Sequence, residues 1–512
     1  MNLRRQASGP RHQVPDPRSQ ASGARAQASG SRTLSRGRGF STAALPILSV
    51  LLVAPSVALA QSARPAVGPE RPFTPPPRAE RTLANGLRVV AVPFPTVPKV
   101  SIILTIQSGL AVDPADKAGL AQFVADAVQE GTTARDSETI RREIFSMGAS
   151  LNAAAGQDTS SFTIRGLADT MPAMAALLAD IVRNPTFPQQ EVDLIKANTA
   201  QGLQAQLASP QYVANRSFRQ TLFGSHPYAR TGPTLDSVKV IDRASIAEYH
   251  KTYYRPNNAF VVVTGDVTPD AAFAAVEKAF GSWARGTVPP PPTAPVPSLQ
   301  GKKVVFVQRP NSVQSSISVG NFTIRRSDPR WIVMNVANQI YGGAFDSRLI
   351  RNIREEKGYT YSPQSVFQSM GQAGLYRAVA DVRNDVTGAT LKEIYGEIDK
   401  LRAEGPSEQE LDNTKMYARG LFVIQNATQN GFANTLNTMY SFGLAKDYPE
   451  TFQKTVSSLS TEAVKTGAQM LLGSQDSVIV VVGDYTKVKD QLTGFDNISF
   501  VDINGNPIKA PQ

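Results

Sequence analysis

The chain has 512 residues, 41% of them hydrophobic, with 53 Lys and Arg against 42 Asp and Glu and no Cys. That length calls for about two to four domains. The missing cysteines exclude disulfides, thiolate metal sites, a Cys nucleophile and a lipoprotein anchor, and the three histidines, His12, His226 and His250, exclude chemistry that needs several.

The charge is uneven. Residues 1–60 hold eight Arg and one Asp, so most of the net +11 sits there. The remainder is close to balanced, and a nucleic-acid role for the body loses its main support. Residues 1–39 are rich in Arg, Ser, Gly, Ala and Gln, with a QASG repeat opening at Gln6, Gln20 and Gln27. Low hydrophobicity and one-sided charge predict a disordered basic segment. Residues 40–60 hold an apolar run broken by Pro46 and Pro55 that ends in Ala58-Leu59-Ala60. A basic lead, a short apolar run and a small-x-small end read as a secretory signal peptide. The run is too short and too broken for a stable membrane anchor, so the expected location is exported, in the periplasm, with cleavage near Ala60.

Residues 61–80 form a linker containing PFTPPP, and the Pro-rich 287–300 separates two stretches of similar length, 81–286 and 301–507. These echo each other. Gly86-Leu-Arg-Val-Val-Ala-Val opens the first and Gly301-Lys-Lys-Val-Val-Phe-Val the second. Val261-Val-Val-Thr-Gly265-Asp266 closes the first and Val480-Val-Val-Gly483-Asp484 the second. Near-equal offsets at both ends predict a tandem duplication.

Each half reads as mixed α and β. In the first, 88–92 and 100–108 are strand-like. Residues 117–129 place Leu120, Phe123, Val124 and Val128 at helical spacing before Gly131. Residues 150–167 read as a hairpin, 171–183 and 189–207 as helices, and 259–264 as a buried strand. The second half repeats the order, so the fold class is α+β: two homologous domains, each a mixed, largely antiparallel sheet covered by helices.

Several stretches resemble the M16 metallopeptidase family, which includes pitrilysin, insulin-degrading enzyme and mitochondrial processing peptidase. They are Ser225-His-Pro-Tyr-Ala, Thr231-Gly-Pro-Thr, Tyr249-His-Lys-Thr-Tyr-Tyr-Arg-Pro-Asn-Asn258, Tyr341-Gly-Gly-Ala-Phe-Asp-Ser-Arg-Leu349 and Ile353-Arg-Glu-Glu-Lys-Gly-Tyr-Thr-Tyr-Ser362. The resemblance spans about 80–506. Active members carry H-x-x-E-H, two zinc-binding His on one helix face with a Glu as general base, and a downstream Glu as third ligand. Here the frame Gly119–Thr132 is kept, but Gln122 and Asp126 stand at the His positions, Ala125 at the Glu and Asn198 near the third-ligand position. No cofactor is therefore expected on this chain. His226 and His250 read as structural, and Tyr249, Tyr253 and Tyr254 as core or interface aromatics.

The resemblance also implies that Arg354 and Tyr361 hold substrate backbone and stabilise the oxyanion across a closed chamber. Residues 347–357 read as a helix stopped by Gly358, and Tyr359–Ser362 as a strand start, with Tyr361 on that strand. Gly342-Gly343 reads as a tight turn, and Arg325, Arg326, Arg351 and Arg354 as a solvated surface. Some bacterial family members pair a zinc-bearing subunit with one that keeps only Arg and Tyr. This chain has the second pattern. The expected function is the exported, non-catalytic subunit of a heterodimeric peptidase, with zinc in an H-x-x-E-H partner and a peptide or unfolded polypeptide as substrate. The alternative is a pseudopeptidase used as a binding or assembly scaffold.

Overall fold

The computed structural model describes residues 73–495 and 497–512. The basic segment and the signal-peptide run expected over 1–60 lie outside the described residues. Strands β1 (Ala79–Thr82), β2 (Arg88–Pro93), β3 (Lys99–Ile106), β4 (Ser150–Ala155), β5 (Ser160–Leu167) and β6 (Ala259–Gly265) form one sheet, in the order β1-β2-β6-β3-β5-β4. Strands β7 (Lys302–Gln308), β8 (Gln314–Thr323), β9 (Gln364–Ser369), β10 (Gly374–Arg383), β11 (Ser477–Gly483) and β12 (Ser499–Val501) form the other, ordered β12-β7-β11-β8-β10-β9. The central pairs match: β2 runs parallel to β6 and β7 parallel to β11. The outer edges differ. β1 is antiparallel to β2, whereas β12 comes from the chain's end and runs parallel to β7.

The central strands are runs of Val, Ile and Phe because both of their faces are covered. Val89, Ala91, Ile102, Leu104, Val261 and Val263 pack with Phe123, Leu178 and other residues of the first half's own helices. Their neighbours Val90, Val92, Ile103, Phe260 and Val262 face the other way, against Phe432, Leu436 and Met439. These three belong to the Gln429–Phe442 helix of the second half. The second sheet does the reverse. Val307, Val478, Val480 and Val482 pack on Phe218, Leu222 and Phe223 of the first half's Pro210–Phe223 helix. Each half thus lends a helix to the other's sheet, and each buried large apolar side chain contributes about 1.5–3 kcal/mol.

Polar contacts add to the join. Tyr228 Oη donates to Asp158 Oδ1 (2.5 Å) and accepts from the Gln372 N–H (2.9 Å), while Asp158 Oδ2 accepts from the Gly371 N–H (3.0 Å). The described residues form one compact unit. Among the described residues no helix is long and apolar enough to cross a membrane.

Candidate functional site

The helix Leu120–Ala127 carries the three substituted zinc-motif positions. Gly119 starts it at φ +90°, and a Cβ there would meet Pro233 N at 2.5 Å, so only glycine fits. The Asp113 carboxylate caps the helix, accepting from the N–H groups of Gly119 (2.7 Å) and Ala121 (3.0 Å). Burial raises the Asp113 carboxyl to about 7, against the pull of those N–H groups.

Gln122 and Asp126 face one another, as residues four apart on a helix do. Gln122 Nε2 donates to Asp126 Oδ1 (2.8 Å), and Gln122 Oε1 accepts from the Ala155 N–H on edge strand β4 (2.9 Å). Burial lifts the Asp126 carboxyl to about 6 despite the Gln122 bond. Ala125 is buried and offers only a methyl group. Asn198 is exposed on the Gln189–Leu207 helix. Among the described residues no group of three or more His, Asp or Glu is placed to hold a metal ion. The donor set does not fit catalytic zinc. The amide oxygen is engaged by backbone, one carboxylate remains, and nothing at position 125 can serve as a base. No hydrolytic step is therefore assigned to this helix.

His226 and His250 are held elsewhere. His226 is buried, and its Nδ1 accepts from the Tyr228 N–H (3.1 Å). His250 Nε2 lies 2.7 Å from the Val182 carbonyl, and burial brings its imidazole down to about 4. Tyr249 and Tyr254 are core residues.

The second region centres on Arg354. It lies in a wide, π-type helical segment, Ile350–Glu356, in which the Lys357 N–H reaches back five residues to Asn352 O. An ordinary helix over 347–357 was the sequence expectation. The wide turn lets Asn352 point inward to Glu397 (2.7 Å) and Glu393 (2.9 Å), while Arg348 and Arg351 both reach Glu410. Such π-turns recur at functional sites. Gly358, at φ +63°, ends the segment.

Tyr361 is not on a strand, as the sequence suggested, but on the loop before β9. Pro363 has no N–H for a ladder, so pairing starts only at Gln364. Tyr361 is 76% exposed. The Arg354 guanidinium lies 4.4 Å from its ring centroid and 5.1 Å from that of Phe345, which is also exposed. The structure thus brings Arg354 and Tyr361 together, in an open groove of about 400 Å³ that also includes Gly342, Phe345 and Pro363. Gly342 and Gly343 are not a tight turn. They end the wide helical turn Gln339–Gly343, where a Cβ on Gly342 would meet the Ser365 N at 2.7 Å.

Two residues of this region escaped the sequence reading, Arg348 and Glu410. Arg348 makes a two-pronged contact with Glu410 (3.0 and 2.9 Å), and Arg351 Nη2 adds a third bond at 2.8 Å. Glu410 also completes a capping box with Ser407, exchanging bonds of 3.0 and 3.2 Å. Ser407-x-x-Glu410 was the available signal. Burial works against the Glu410 charge, but Arg348, the Ser407 N–H and Arg351 outweigh it and bring the carboxyl down to about 2. Arg351 is therefore an anchored ion-pair partner, not part of a free basic surface. Arg326 departs further from that expectation, being only 8% exposed.

Residues 88–232 match the family model for insulinase, peptidase family M16, and residues 241–417 match that for the peptidase M16 inactive domain. An uncharacterized zinc protease of Mycobacterium leprae is 26% identical over 415 residues, covering 80% of this chain and 92% of that protein. The crystal structure of a peptidase M16 inactive domain from Pseudomonas fluorescens superposes with a TM-score of 0.73 at 26% identity, covering 80% of this chain and 98% of that one. A Helicobacter pylori protease has the same fold, with a TM-score of 0.75, 19% identity and coverage of 80% and 99%. This chain belongs to the M16 peptidase family and carries both of its domain types.

Proposed function

We propose that this chain is the exported, zinc-free subunit of a heterodimeric M16 peptidase. Its partner carries H-x-x-E-H and the zinc, and this chain supplies Arg354, Tyr361 and half the chamber wall. The observation that carries the reading is the state of Arg354. Its guanidinium has no carboxylate partner among the described residues and lies against the exposed Tyr361 ring beside an open groove. A guanidinium with free N–H donors and a phenol beside it suit a carbonyl oxygen that gains negative charge as a peptide bond is attacked. An extended peptide or unfolded polypeptide fits such a site because it can pair with a sheet edge, and β4 and β9 are edges here. Export is supported by the basic lead, the apolar run and Ala58-Leu59-Ala60.

The test is substitution within the reconstituted pair. Arg354→Ala is expected to lower kcat by about 100-fold, as loss of an oxyanion donor does. Tyr361→Phe should also lower kcat while the two subunits still co-elute. Turnover unchanged in both variants would contradict the reading and leave the chain a scaffold.

A further inference from the structure

Arg326 follows β8 and lies, largely buried, on the wall of a solvent-open pocket of about 380 Å³ between second-half helices. Its surroundings are unusual for a buried cation. The guanidinium lies 3.7 Å from the centroid of Trp331 and 5.2 Å from that of Tyr448. Nη2 donates to Tyr448 Oη at 2.9 Å. Among the described residues no carboxylate pairs with it. Buried charges are ordinarily paired, because an uncompensated one is costly to keep out of water. Two aromatic faces and one hydroxyl offset only part of that.

The rest of the wall is mixed: Phe422 and Phe452 stack at 4.3 Å and both line the space, and Asn335, Gln425, Thr435 and Thr438 line it too. A single cation flanked by aromatic rings suits a ligand with one negative charge and an apolar body. A phosphate dianion would want a second cation or a row of backbone N–H groups. The volume lies within the usual range of small-molecule sites, about 300–1,000 Å³.

We infer that this cavity binds a small carboxylate with an aromatic or branched apolar body, its carboxylate on Arg326 and its apolar part against Phe422 and Phe452. The site uses residues apart from Arg354 and Tyr361, and the inference stands whether or not this chain serves a peptidase.

The probe is phenylacetate, titrated into the full chain by calorimetry, with inorganic phosphate as competitor. One-to-one binding is expected, undisturbed by phosphate. Arg326→Gln should weaken it at least tenfold. Thr435→Phe, which fills the cavity from the Gln429–Phe442 helix and keeps the guanidinium, should do the same and covers the case in which Arg326→Gln does not fold. Absence of phenylacetate binding, displacement by phosphate, or wild-type affinity in either folded variant would overturn the inference.

Discussion

Arg354 is positioned by its neighbours more than by contacts of its own. Arg348 and Arg351 fix its helical segment to Glu410, and Phe345 and Tyr361 flank it. Glu410→Gln should therefore cost about 3 kcal/mol, since two arginines lose a buried anion. Its pH dependence has a definite sign. The folded carboxyl is down at about 2, so the wild-type advantage is complete above the unfolded value of about 4.3 and fades as pH falls toward 2. Thermal melts at pH 7 and pH 3 should show the gap between wild type and variant shrinking at pH 3.

Asp126 has the opposite sign. Burial raises its carboxyl to about 6. Its ionisation therefore costs stability as pH rises through that value, and the cost is absent below about 3.9. Asp126→Asn keeps an acceptor for Gln122 and should be more stable than wild type by about 1–2 kcal/mol at pH 8, with little difference at pH 4. Equal melts at both pH values would contradict this account. At this scale, Gln122, Ala125, Asp126 and the Arg354–Tyr361 spacing were legible in the sequence, because a motif is a local pattern. The ion pairing of Glu410 was not, because Arg348 and Arg351 lie far along the chain. Arg326 was misread because Arg325-Arg326-Ser-Asp-Pro looks like a polar loop, and Trp331 together with the distant Tyr448 encloses it.

At the element scale the double-faced strands matter most. Strands buried on both sides show no alternation, and 259–264 read as buried for that reason. Helices over 171–183 and 189–207 were also legible, because their lengths and flanks are unambiguous. The exchange of helices between halves was not, since an apolar stripe shows that a helix is covered and not which sheet covers it. Phe432 lies on the exchanged Gln429–Phe442 helix and is fully buried against the first sheet. Phe432→Ala should cost about 3–5 kcal/mol. Because the helix spans the join, the loss should lower a single melting transition of both halves. Two separated transitions, one unshifted, would contradict the exchange.

For the whole molecule, the exchange predicts that the chain link is dispensable once folding is complete. The Pro-rich stretch 289–297 is largely exposed. A protease site placed there and cleaved in the native protein should yield two fragments that co-elute. The composite-site reading is tested most directly by hydrolysis of a quenched peptide library. The assay compares this chain alone, an H-x-x-E-H-bearing M16 partner alone, and the two mixed. The account predicts turnover that appears or rises sharply only in the mixture. Robust hydrolysis by this chain alone, or no gain over the partner alone, would contradict it.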